Sequence, residues 1–211
     1  MSVASDVIAR ASLLEWHKVR KLFGIENFAI IPFLARAATC SHPDAQWMCK
    51  IFAGKNVTSR EEAKTVFLQH LNDPRALCFA SLILDAYSPD VDMLRHSADL
   101  GYGFAQALMV VYGNFDEGFK YAQRSAASGD SDGYFFLSLC FMNKIGCEVD
   151  LVKVKENVLL AAELGHVSAI ETVAENITWL FDEFDPRRWY WLGEAAMRCR
   201  ASHFVSSSFS F

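Results

Sequence analysis

The 211-residue sequence has no apolar run long enough to cross a membrane. Its strongest, Tyr134 to Met142, is about half of the ~18 residues that such a span needs, and Phe28 to Leu34 is broken by Pro32. A membrane is therefore not expected as a partner. The N-terminus lacks a basic region followed by an apolar stretch and a small-residue cleavage site, so no secretory signal is expected, and Asp6 and Glu15 argue against a transit peptide over residues 1–23. Regular cysteine spacing is missing as well. The six cysteines sit in apolar stretches such as Ser138-Leu139-Cys140-Phe141, which points to reduced core thiols in a cytoplasmic or nuclear compartment.

A basic excess is also absent. Residues 1–64 hold nine Lys/Arg against six Asp/Glu, while residues 65–211 hold eleven against nineteen, within a formal net charge of −5. Polyanions are bound by Lys and Arg that displace counterions, so nucleic acid is not expected as a partner. The known catalytic signatures are missing too: no glycine-rich phosphate loop, no HExxH, no CxxC pair and no GxSxG elbow occurs. Glu171 and Glu175, one helical turn apart, have no nucleophile beside them and read as an exposed acidic face. Cys40, His42 and Cys49 lack the fourth ligand that zinc requires, and His166, just after a glycine, is read as facing solvent. No enzymatic activity, metal or cofactor is expected.

What the chain does have is apolar material and a repeat. With 52% hydrophobic residues it buries enough surface to fold. A recurring pattern of two small residues, two variable ones, a helix-stopping residue and a small residue four positions later organises it. The clearest copies are Ser97-Ala98-Asp99-Leu100-Gly101 leading to Ala105, Ser125-Ala126-Ala127-Ser128-Gly129 leading to Gly133, and Ala161-Ala162-Glu163-Leu164-Gly165 leading to Ala169. In the same register lie Ala37-Ala38 before Ser41, Leu68-Gln69 before Asn72, and Ala195-Ala196 before Cys199. Stops are thus expected at 41, 72, 101, 129, 165 and 199. Glycine closes a helix in the left-handed conformation at little steric cost, and Asn72 is expected to do so next best.

The residues between stops have helical spacing. Apolar side chains recur eight and twelve positions after a stop, as at Met109, Leu137 with Phe141, and Val173 with Ile177. Bulky residues return seven or eight before the next stop, at Leu94, Tyr121, Val158, and Trp191 with Leu192. Turn formers join the two halves of each unit at Ser88-Pro89-Asp90, Gly113-Asn114, Gly146-Cys147 and Asp185-Pro186. Each unit is a helix pair that must stack on its neighbours to cover its apolar face.

These motifs resemble the Sel1-like repeat family, whose pattern is Ala-Ala, two residues, Gly, then Ala, with an aromatic before the next Ala-Ala; the likeness covers roughly residues 28–205. The middle units are shorter than the family's usual length, and its Leu-Gly pair is missing. The resemblance implies an all-α, right-handed α-α superhelical solenoid of stacked antiparallel helix pairs, in one domain over residues 1–205. It also implies a non-catalytic scaffold or adaptor holding a protein or peptide partner on a concave face lined by the first helix of each pair. Some secreted members staple each unit with a disulfide; Cys140 and Cys147 alone are similar to that pattern, and no such framework is expected.

On that geometry the outward positions lie three, six and ten residues after each stop: Asp44, Trp47 and Ile51, then Arg75 and Cys78, Phe104, Asp132 with Phe135 and Leu139, and Ser168 with Glu171 and Glu175. The face is aromatic in the middle and acidic toward its C-terminal end. Residues 1–27 read as a helical cap, or residues 1–40 as a degenerate F-box of a ubiquitin-ligase adaptor. Ala201 to Val205 reads as the start of a helix without a partner, and residues 206–211 as a frayed tail.

Overall fold

Apolar residues at helical spacing, closed by glycines, leave little besides paired helices. The computed structural model describes residues 42–55, 57–84 and 89–207. The cap, the F-box reading, Ala37-Ala38 and Ser41 lie outside these residues. The described residues form helices only: α1 (Pro43–Phe52), α2 (Arg60–Leu68), α3 (Pro74–Leu84), α4 (Val91–Asp99), α5 (Gly103–Tyr112), α6 (Phe115–Ala127), α7 (Ser131–Asn143), α8 (Leu151–Glu163), α9 (Val167–Glu175), α10 (Ile177–Leu180) and α11 (Arg187–Ser207). Odd-numbered helices up to α9 open a unit, and the even-numbered ones up to α8, then α11, close it. From α2 onward each helix packs on the next up to α10, α9 also carries α11, and α5 packs on α7. This is a solenoid.

Local chemistry fixes where the helices begin. Ser59 accepts from the Glu62 backbone N–H while the Glu62 carboxylate accepts from that of Ser59, a complete capping box for α2. Asp90, Asn114 and Asp150 cap α4, α6 and α8 with side-chain oxygens. Asp185 receives the Arg187 N–H at 2.9 Å, next to Pro186, at the start of α11.

Three helices end in the same way. Tyr102 N–H reaches back to Ser97 O and Gly101 N–H to Ala98 O; the same two bonds join Asp130 and Gly129 to Ser125 and Ala126, and His166 and Gly165 to Ala161 and Ala162. This is the Schellman closure, and Gly101, Gly129 and Gly165 have φ of 92°, 81° and 91°. Two expected stops behave otherwise. Asn72 is not left-handed: α2 already ends at Leu68, and the chain turns through short bonds from Gln69 to Val66 and from His70 to Phe67. Among the described residues Lys144 alone takes positive φ without being glycine. Cys199 stops nothing, since α11 runs through it to Ser207.

The small residues before each stop bring the two helices of a unit together. Ser97 Oγ donates to Pro74 O, and Ser125 Oγ to Gly103 O at 3.1 Å, each tying a second helix to the start of the first. The core is a chain of overlapping clusters. Met48, Phe67 and Phe79 join α1, α2 and α3; Leu94, Met109 and Tyr121 join α4, α5 and α6; Ala122 and Cys140 link α6 to α7; and Val158, Ile170, Leu180 and Trp191 hold α8, α9, α10 and α11.

Candidate protein-binding face

The first helices differ from the second in charge. Each of α2, α6 and α8 carries four charged residues and α4 three, for example Asp116, Glu117, Lys120 and Arg124 on α6, whereas α5 carries none and α7 only Asp132. On α5 and α7 apolar side chains therefore meet solvent with almost no charge among them, whereas the exposed Leu68, Phe115, Leu151, Val152 and Leu160 of the second helices stand among charged residues. On α5, Phe104, Leu108 and Tyr112 are half-buried and Val111 is exposed; on α7, Tyr134, Phe135 and Leu139 are half-buried and Met142 is exposed.

At the N-terminal end of this surface Asp44, Trp47 and Arg75 come together. The Arg75 guanidinium forks onto Asp73, with Nε to Oδ1 at 2.9 Å and Nη2 to Oδ2 at 2.6 Å, and stacks over the Trp47 ring at 4.5 Å. Asp44 lies 4.0 Å from Nη1 and accepts the Tyr102 hydroxyl at 2.7 Å. Burial works to raise the Asp73 carboxyl, yet hydrogen bonds from the Arg75 side chain and backbone, with one from Trp47, hold it below the ordinary carboxylate value. The fork onto Asp73 keeps Arg75 firmly protonated. With Gln69, His70 and Asn72, these residues line an open cleft of about 580 Å³. Its walls offer an aromatic ring, a pre-oriented guanidinium and carboxylates, a set suited to gripping side chains of another polypeptide.

The other expected face residues are placed as follows. Ile51 is half-buried and packs against the core of α1, α2 and α3. Phe104 is half-buried, its ring 6.2 Å from Phe79 and 6.3 Å from Tyr102. Phe135 stacks on the His166 ring at 4.3 Å, and Leu139 is half-buried. Glu171 is half-buried and Glu175 exposed. Two positions do not face outward. Cys78 is fully buried, and Asp132 is buried against His166, with Nε2 to Oδ1 at 3.1 Å.

His166 itself corrects the solvent-facing reading. It is buried, and its Nδ1 accepts the Ala169 backbone N–H at 3.1 Å, capping α9. With Nδ1 accepting, the Nε2–H is the ring's donor, aimed at Asp132. One imidazole thus starts a helix and joins it to the preceding unit.

No protein-family model matches the chain, and no curated protein does. Solved structures do. The chain is similar to the Sel1 repeat protein from Oxalobacter formigenes, with a TM-score of 0.58 and 16% identity over 78% of this chain and 74% of that one. It is also similar to c5321, a protective antigen of uropathogenic Escherichia coli with an SLR fold, with a TM-score of 0.55 and 16% identity over 78% of this chain and 40% of that one. The fold is that of a Sel1-like repeat solenoid.

In this Sel1-like array the residue just after each stop was the overlooked one. Tyr102 and His166 both reach an acid three positions after an expected stop, Asp44 and Asp132 respectively. The signal was a hydrogen-bonding side chain at stop plus one and an acid at stop plus three. No group of three or more His, Cys, Asp or Glu able to hold a metal occurs among the described residues. Cys49, Cys78, Cys140 and Cys147 are free thiols. None of the described helices is long and apolar enough to cross a membrane.

Proposed function

We propose that this chain is a non-catalytic scaffold that holds a segment of a partner protein along its first helices. The observation that carries the reading is the division of charge. Second helices are laced with acids and bases, while the middle first helices, α5 and α7, present Phe104, Val111, Phe135, Leu139 and Met142 with Asp132 as their one charge. Interface centres are depleted of charge and enriched in aromatic residues and methionine in the same way. The Trp47–Arg75 stack beside Asp44 supplies a polar anchor at one end, and Glu171 with Glu175 makes the other end acidic. The segment that fits is one with apolar anchors along its length and a basic side chain over α9.

The test is affinity capture with mass spectrometry, repeated with two variants that keep the wild-type melting temperature. Met142→Glu, at an exposed position of α7, is expected to release the captured partner. Lys120→Glu, on the second helix α6, is expected to retain it. A partner lost with the α6 variant and kept with the α7 variant refutes the assignment of the face.

A further inference from the structure

We propose that the cleft beside Arg75 takes a flat aromatic ring, a Phe, Tyr or Trp side chain of the held segment, which stacks on the guanidinium. This deepens the scaffold reading and rests on it for the source of the ring. What the cleft has left to offer selects that ligand. The Arg75 guanidinium spends its edges within the protein: Nε and Nη2 fork onto Asp73 at 2.9 and 2.6 Å, and Nη1 lies 4.0 Å from Asp44. One of its faces lies on the Trp47 ring, 4.5 Å from the centroid. The other face remains, and Arg75, with its side chain 29% exposed, lines the cleft.

Trp47 is itself engaged. Its ring stacks on the buried Phe67 at 6.2 Å, 11° from parallel, and its indole N–H donates to Asp73. Asp44 accepts the Tyr102 hydroxyl at 2.7 Å. Asp44 and Asp73 together outnumber the one charge of Arg75, so a carboxylate or phosphate would find neither an unused edge of Arg75 nor an excess of positive charge. A π-face needs neither. The guanidinium plane is weakly hydrated and attracts the negative face of an aromatic ring even when its in-plane donors are occupied. Tyr102 and the 52% exposed Leu100 line the same cleft and offer the ring apolar contact. Its volume of about 580 Å³ falls within the ~300–1,000 Å³ of ligand pockets.

Three adjacent residues build this arrangement. Pro74 fixes the first turn of α3, and Asp73 receives the Arg75 backbone N–H at 3.0 Å, so the Arg75 side chain starts beside the carboxylate onto which it forks. Asp185-Pro186-Arg187 repeats the device, with the backbone bond at 2.9 Å, Nε at 3.0 Å, Nη2 at 2.6 Å and the guanidinium 4.8 Å over the Phe181 ring. The plane is thus held flat before a ligand arrives, and binding costs little of its freedom. Of the two copies, the one at Arg75 stands on a first helix, where the segment is held.

The test is a titration of the isotope-labelled whole chain with N-acetyl-phenylalaninamide, followed by nuclear magnetic resonance at the Arg75 Nε–H and Trp47 indole N–H signals. Both are expected to move saturably with a Kd of ~1 mM, the scale of one exposed cation–π stack. N-acetyl-cyclohexylalaninamide, of similar size but without a π-face, should bind about fivefold more weakly, and acetate should leave the Arg75 signal in place. These comparisons need only the wild-type chain. Arg75→Lys keeps the charge but loses the plane, and should weaken the aromatic probe about fivefold at the Trp47 signal. The proposal is overturned by the absence of a saturable shift, by a cyclohexyl probe that binds as tightly as the aromatic one, or by an acetate-induced shift at Arg75. A folded Arg75→Lys variant that binds the probe undiminished overturns it equally. Release of the captured partner by Met142→Glu is read separately, so a missing ring site and a failed scaffold reading are distinct results.

Discussion

Substituting alanine for glycine at two positions should change stability in opposite directions. Gly133 lies four residues after the stop at 129, where α7 crosses α6. An added Cβ there would lie 2.3 Å from Ala126 N, 2.4 Å from the Ser125 carbonyl carbon and 2.6 Å from Ser125 Oγ. Two of these atoms are backbone, so relief requires the helices to part, and no rotamer change supplies it. Overpacking of this kind costs ~1–3 kcal/mol, and the rigid neighbours place it at the upper end. Alanine returns ~0.5–1 kcal/mol through its better helix propensity. The net loss is about 2 kcal/mol, or roughly 4–8 °C in Tm for a chain of this size. At Gly193 the added Cβ meets nothing, so the propensity gain stands alone and Tm should rise by about 1–4 °C. Urea and thermal unfolding followed by circular dichroism measure both. A Gly133→Ala variant as stable as wild type would refute the close crossing of α6 and α7.

Three further outcomes are expected. His166→Ala removes the α9 cap, worth ~1 kcal/mol, and the hydrogen bond to the Asp132 carboxylate, worth ~1.5–3 kcal/mol; His166→Asn should recover the cap portion, which urea midpoints will show. Burial, then the hydrogen bond to Asp99, pushes the Tyr121 hydroxyl from 10.0 up to about 12. Its folded value is raised, so its contribution to stability is complete below pH ~10 and is lost as pH climbs through the folded value. Ultraviolet titration should show a lagging tyrosine component, and Tyr121→Phe should remove it. Burial, with Cys147 nearby, pushes the Cys140 thiol up to about 12, so in the native protein Cys147 should be alkylated well before Cys140. Equal rates would contradict the packing of α7.

The solenoid was legible because its signals are local. Gly101, Gly129 and Gly165 announce Schellman closures, and Ser97-Ala98, Ser125-Ala126 and Ala161-Ala162 announce close crossings; both depend on a few adjacent residues. The face was legible only in part. A position three after a stop is at the edge of the first helix, and whether it looks outward depends on what a later unit places above it. At Asp44 that residue is Tyr102, and the acid stays at the rim of the cleft; at Asp132 it is His166, and the acid is buried. Such contacts cross tens of residues of sequence. The spacing of one unit therefore does not contain them.

The missing stop at Cys199 shows what a stop needs. At 101, 129 and 165 glycine is left-handed, and the next residue opens a new helix, with Asp130 and His166 doing so through side-chain acceptors. At 199 both parts are absent: cysteine carries a Cβ that disfavours the left-handed conformation, and Arg200 has no acceptor atom. Continued helix is then the lower-energy path, and α11 extends to Ser207. Supplying both parts should reverse the outcome. In Cys199→Gly/Arg200→Asp the helix should break at 199, leaving 200–207 to start afresh, and backbone amides 200–202 should lose their hydrogen-exchange protection. Cys199→Gly alone should weaken the helix locally without ending it. If the double variant keeps an unbroken α11, the two-part account of the stop fails, and packing between units must set the helix ends instead.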